Sequence, residues 1–194
     1  MKSVKVRIVG TTALLMHNID AANPLAPHSA QMAKLHEAKR RKGADTIDIL
    51  RQIADLEFET GMYYSADNNG PFIPAYVIER CIRAGASLVR KGKDVTRAVQ
   101  LRGHFVPLDY DGPRTMAELK ADHNFRYATM VAIQKAKVLR TRPMFSRWSC
   151  RFEMVVDERR VTVAEALSYL TDAGIFEGIG DGRTMHFGRF TVEA

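Results

Sequence analysis

Residues 178–189, GIGDGRTMHFGR, contain four glycines and two arginines. These residue types can hold a polyanion. A glycine-rich loop lets backbone N–H groups approach a phosphate closely, and a guanidinium offers a phosphate two parallel hydrogen bonds. Gly180 and Gly182 are the candidates for close approach, and Arg183, His186 and Arg189 are the candidates for charge. A helix-to-strand connection with glycines at tight turns accounts for the glycines equally well. The two arginines favour the polyanion.

The rest of the chain is basic in patches. The 194 residues carry a formal charge of +7. Residues 80–102 hold Arg80, Arg83, Arg90, Lys91, Lys93, Arg97 and Arg102 against one acid, Asp94. Residues 135–151 hold Lys135, Lys137, Arg140, Arg142, Arg147 and Arg151 with no acid. A solvated surface mixes signs, whereas clustered cations are the footprint of a polyanion binder. The binding candidates are therefore Arg80, Arg83, the basic stretch Lys135–Arg151 and the glycine loop, with Tyr63, Tyr64 or Phe145 available to stack on bases. Cys81 and Cys150 are isolated and read as buried thiols in a reducing compartment. The histidines at 17, 28, 36, 104, 123 and 186 do not fall at ligand spacing, so neither a metal nor another cofactor is expected. No run of apolar residues is long enough to span a membrane, and the N-terminus lacks the pattern of a secretory leader, so a cytoplasmic protein is expected.

The elements that must position these groups follow from periodicity. Val4, Val6 and Ile8 alternate with Lys5 and Arg7, which predicts a half-buried strand. Two helices are expected at about 31–43 and 45–60, the second capped by Asp45. MYYSADNNGPFIPA (62–75) reads as a hairpin, and Pro74 opens a helix whose apolar stripe runs through Ile78, Cys81, Ile82 and Gly85. RKGKDVTRAVQLRG (90–103) reads as a basic connection, HFVPLDY as a strand, and 111–125 as a turn with a short helix. Two long strands are expected near 129–141 and 145–156, joined by a turn at Arg142-Pro143. In the second, Trp148, Cys150, Phe152, Met154 and Val156 share one face. Thr162 and Glu165 form a capping box for a helix carrying Ala166, Leu167 and Leu170, and FGRFTVEA closes the chain as a strand. The order is a β-α-β-β-α-β frame. The expected class is therefore α+β, a ferredoxin-like or RRM-like core with an antiparallel sheet. It forms one domain over 1–194, with insertions at about 18–60 and 110–128.

Three stretches on this frame carry a family resemblance: VKVRIVGTTALLMHN, GPFIPAYVIERCIRAGA and GIGDGRTMHFGRFTV. The second resembles the IPxxxLxGxxR pattern, and the third the C-terminal glycine-rich loop, of the RAMP superfamily, the RNA-recognition-motif-like proteins of CRISPR systems. One departure is that Arg83 precedes Gly85 instead of following the helix glycine. The resemblance implies a single-stranded nucleic-acid binder, RNA before DNA, that stacks as a homo-oligomer or filament along the strand. Other CRISPR-like or phage proteins would be further partners. It also implies a phage- or mobile-element-encoded relative acting in a bacterial host. Two other readings stay open. One is a metal-independent endoribonuclease of the same superfamily with His17 as general base. The other is a phage protein that binds or mimics a subunit of a defence complex.

Overall fold

The structure is a computed structural model that describes residues 1–41, 43, 45–67, 69–133 and 136–193. The elements in chain order are β1 (Lys2–Gly10), β2 (Leu14–Leu15), α1 (Pro27–Arg40), α2 (Thr46–Gly61), β3 (Tyr64–Ser65), β4 (Gly70–Pro74), α3 (Ala75–Leu88), α4 (Gly92–Ala98), β5 (Val99–Leu101), β6 (Phe105–Asp109), α5 (Met116–Ala121), β7 (Arg126–Ile133), β8 (Ala136–Phe145), β9 (Ser149–Val156), α6 (Val163–Asp172) and β10 (Phe190–Glu193). The chain forms two compact units, one of residues 1–15, 64–114 and 145–194, the other of 16–63 and 115–144.

The first unit contains the expected frame. Its antiparallel sheet runs β10-β1-β9-β6-β4-β3, with β5 also paired to β9. Taken as strands one to four, β1, β5–β6, β9 and β10 stand in the order four-one-three-two, which is the ferredoxin-like arrangement. The strands alternate as their sequences predict. Val6 lies opposite Phe152 and Ile8 opposite Cys150 in the β1–β9 register, and all four are buried. Ile78, Leu170, Phe190 and Trp148 join them in the core, whereas Leu167 is only half-buried. The Trp148 ring meets Phe190 edge-on at 6.3 Å.

Helices α3 and α6 are held together by the glycine inside α3. A Cβ at Gly85 would lie 2.0 Å from the Tyr169 carbonyl oxygen and 2.9 Å from the Ala173 nitrogen. Hydrogen in place of a side chain is what lets the two helix backbones meet. The α6 capping box forms as expected, with Glu165 N–H donating to Thr162 Oγ1 and Thr162 N–H donating to Glu165 Oε2. The stretch read as a basic connection instead contains α4 and β5. The buried positions of α4 are Gly92, Val95 and Ala98, and two small apolar side chains among so many cations leave too weak a stripe for sequence to mark a helix.

The second unit joins α1, α2 and α5 to a β7–β8 hairpin, in which Arg126 pairs with Pro143 and Thr129 with Arg140. The expected pairing of 129–141 with 145–156 therefore does not occur. The first predicted strand is itself a hairpin, Arg142-Pro143 lies inside β8 and not in a turn, and β9 belongs to the other unit's sheet. The Pro143 carbonyl accepts from Met16 N–H at 3.0 Å. Asp45 caps α2 by accepting from Ile47 and Asp48 N–H. From α2, Asp55, Glu57 and Glu59 pair with Arg126 of β7, Arg140 of β8 and Lys120 of α5 respectively.

Candidate nucleic-acid interface

The glycine loop is docked against residues 11–15. Gly188 N–H donates to the Ala13 carbonyl, Asp181 N–H to the Leu15 carbonyl and Ile179 N–H to the Gly188 carbonyl, each at 2.8–2.9 Å. Thr12 ties the loop's end by donating from Oγ1 to the His186 carbonyl and accepting from Arg189 N–H. Gly180 and Gly182 both have positive φ, +85° and +67°. A Cβ at Gly180 would lie 2.3 Å from the Leu15 carbonyl oxygen, and one at Gly182 would lie 2.9 Å from the Phe187 ring. The close approach these two glycines permit is thus to the protein's own chain, which accounts for their residue type without a phosphate.

What the loop offers to solvent is side chains. Arg183 and His186 are exposed, while Arg189 is half-buried and reaches back to the Arg183 carbonyl from Nη2 at 3.4 Å. The loop also packs on α3, with the Cys81 thiol donating to the Gly178 carbonyl. Burial pushes the Cys81 thiol up to about 12 and outweighs the nearby Arg183 and Arg189, which pull it down. Burial pushes Cys150 up to about 12 as well. Both read as inert thiols, in line with their sequence context.

The cations of the first unit divide into two groups. On the sheet face away from the helices, Arg7 stands directly opposite Arg151 in the β1–β9 register. Two like charges at that position repel, and each is met by an acid: Arg7 by Glu193 at 3.0 Å, Arg151 by Asp109 at 3.6 Å. Arg102 pairs with Glu153 at 3.4 Å, and Lys5 lies across from Glu153. On this face Arg7, Arg102 and Arg151 are each matched by an acid. The helical side differs. Arg80 and Arg83 point outward from α3 at one-turn spacing, and α4 adds Lys93 and Arg97. A Cβ at Gly92 would lie 3.3 Å from the Arg83 carbonyl, so α4 starts directly against α3. Among the described residues only Lys91 of this group has an ion-pair partner, Asp94 at 3.4 Å. Arg147, exposed just before Trp148, is likewise without one.

The remaining candidates lie elsewhere. Lys135 falls outside the described residues. Lys137, Arg140 and Arg142 belong to β8 of the second unit. Arg140 is held by Glu57, which is itself buried, and Arg142 donates to the Thr141 carbonyl at 3.1 Å. The basic stretch 135–151 is therefore divided between two units and does not form one hairpin. His17 is exposed at the start of the second unit. Phe145, a candidate for base stacking, is fully buried at 0% exposure against Tyr110, whose ring lies 4.8 Å away. Tyr63 and Tyr64 are half-buried. Among the described residues, no group of His, Cys, Asp or Glu is arranged to hold a metal ion, and no helix is long and apolar enough to cross a membrane.

No family model and no curated protein matches the sequence. Among solved structures, the chain is similar to one in the cryo-EM structure of the type III-B Cmr-β bound to cognate target RNA, with a TM-score of 0.51 and 12% identity. The match covers all of this chain and 60% of that one, so this chain spans less than two thirds of its neighbour's length. At that identity the likeness is one of fold.

Proposed function

We propose that the protein binds single-stranded nucleic acid, RNA in preference to DNA, through the helical side of its first unit, and that copies line up along the strand. The observation that carries this reading is the division of charge. Arg7, Arg102 and Arg151, on the sheet face away from the helices, are matched by acids, whereas Arg80, Arg83, Lys93, Arg97 and Arg183 carry no ion pair among the described residues. Unmatched guanidinium groups cost nothing in water and gain most from a phosphate backbone that releases its counterions. The fold shared with a chain in a structure bound to cognate target RNA supports the choice of RNA.

The test is anisotropy of labelled single-stranded RNA and DNA over a salt series. Arg80→Ala, Arg83→Ala and Arg183→Ala should each weaken binding and reduce the slope of log K against log salt by about 0.7. Arg151→Ala, which removes a cation already matched by Asp109, should leave the slope close to the parent's. Equal slopes for all four variants would overturn the assignment of the binding side. The mass of the complex should rise in steps as the oligonucleotide is lengthened.

A further inference from the structure

Large apolar side chains held in water are informative when the backbone beneath them is rigid. Ile175, Phe176 and Met185 are 56%, 60% and 54% exposed. The segment that carries the first two, Ala173–Glu177, is a π turn closed by Gly178 N–H donating to the Ala173 carbonyl at 2.8 Å. Its inner side is fixed: Ala173 and Gly174 are buried, and a Cβ at Gly174 would lie 2.3 Å from the Phe190 carbonyl oxygen. The extra residue of a π turn redirects side chains, which is why such turns recur at functional sites. Here it leaves Phe176 presented outward on a packed base.

The surroundings carry both signs, with Glu177 beside the ring and Arg183 and Arg189 on the loop that follows. The carbonyl of Gly178, two residues after Phe176, accepts from the Cys81 thiol, and a Cβ at Gly178 would lie 2.8 Å from the Phe187 carbonyl oxygen, while one at Gly182 would lie 2.9 Å from the Phe187 ring. The π turn thus meets the loop that carries the exposed Arg183, which has no ion-pair partner among the described residues. An aromatic face beside a free guanidinium matches the two ends of a nucleotide, base and phosphate. The exposed Arg183, which has no ion-pair partner among the described residues, argues for a polyanion over an apolar protein partner.

We propose that Phe176 is a base-stacking platform, with Arg183 taking the phosphate of the same or a neighbouring nucleotide. This rests on the function proposed above and adds the residue that reads the bases. Phe176→Ala should weaken binding of single-stranded RNA and DNA about five- to a hundredfold, the usual range for one stacked base, with the salt slope unchanged. Inorganic polyphosphate, which has no bases, should bind Phe176→Ala and the parent alike. Phe176→Trp should retain affinity, and its indole emission should be quenched on adding oligonucleotide, since the native Trp148 is buried. If the parent binds oligonucleotides and Phe176→Ala binds them equally well, or if the variant loses self-association in place of oligonucleotide affinity, the stacking role is overturned and the binding function stands. If the parent binds no single-stranded nucleic acid, both fall together.

Discussion

At the scale of single residues, the two thiols and the loop glycines make the sharpest claims. Cys81 and Cys150 are buried and raised to about 12. Neither should react with a thiol reagent at neutral pH in the folded protein, and both should react once denaturant is added. Titration with a chromogenic disulfide checks this by counting thiols before and after unfolding. The glycines separate two effects of a side chain. Gly188, at φ +70°, would place a Cβ 1.8 Å from the Ile179 carbonyl oxygen, while Gly103, at φ +86°, has nothing within 4 Å. Gly103→Ala should cost only the left-handed backbone term, about 1 kcal/mol. Gly188→Ala adds a backbone clash and should cost about 3 kcal/mol or more. Chemical denaturation of the two variants measures the difference. Comparable losses would mean that the loop moves away from Ile179 at little cost.

At the scale of elements, the polar groups decide how helices and strands are seated. From helix α2, Asp55, Glu57 and Glu59 reach β7, β8 and α5 respectively, and Glu57 is the buried member. It binds Arg140 and also accepts Thr141 N–H at 2.8 Å. Glu57→Ala would strand that N–H and a guanidinium that is 32% exposed. The expected loss is about 2–3 kcal/mol, the range for hydrogen bonds to a charged group. The exposed i,i+4 pair Glu37–Arg41 on α1 has no such role, and Glu37→Ala should leave the denaturation midpoint where it is. The turn between β9 and α6 depends on pH. Hydrogen bonds from Arg159, at 2.7 and 2.8 Å, hold the Asp157 carboxyl at about 2, against an ordinary 3.8. A carboxyl depressed by folding adds stability above pH 3.8 and loses it as the pH falls through about 2. Asp157→Asn should therefore flatten the dependence of Tm on pH in that window. A profile parallel to the parent's would show that the pair adds nothing to folding.

At the scale of the whole molecule, a charge of +7 is concentrated where it is not cancelled. Net charge alone attracts any polyanion from a distance. The number of phosphates neutralised depends on how many cations lack an acid, and that number sets the salt slope. Protein purified at low salt should carry nucleic acid that RNase removes and DNase does not. Fragments of regular size would report the stretch of strand each copy protects. A purified protein free of nucleic acid at low salt, with no binding to added oligonucleotide, would remove the function proposed for it.

Local chemistry was enough to establish the frame. Alternation through Val6, Ile8, Cys150, Phe152 and Met154 marks strands, because side-chain period in a strand is set by the backbone and not by distant partners. The same holds for the Thr162–Glu165 box and the Asp45 cap, whose partners lie within three residues. The α+β, ferredoxin-like class predicted from periodicity is the one the first unit's sheet order shows. Pairing between distant segments was beyond sequence. Whether Arg151 is free depends on Asp109, and whether Arg140 is free depends on Glu57, residues tens of positions away. The split of 129–141 into a hairpin, the burial of Phe145 and the exposure of Phe176 likewise depend on which surfaces meet. A run of cations states how much charge a chain has. Only the fold determines which of those cations keep an acid beside them and which face the water.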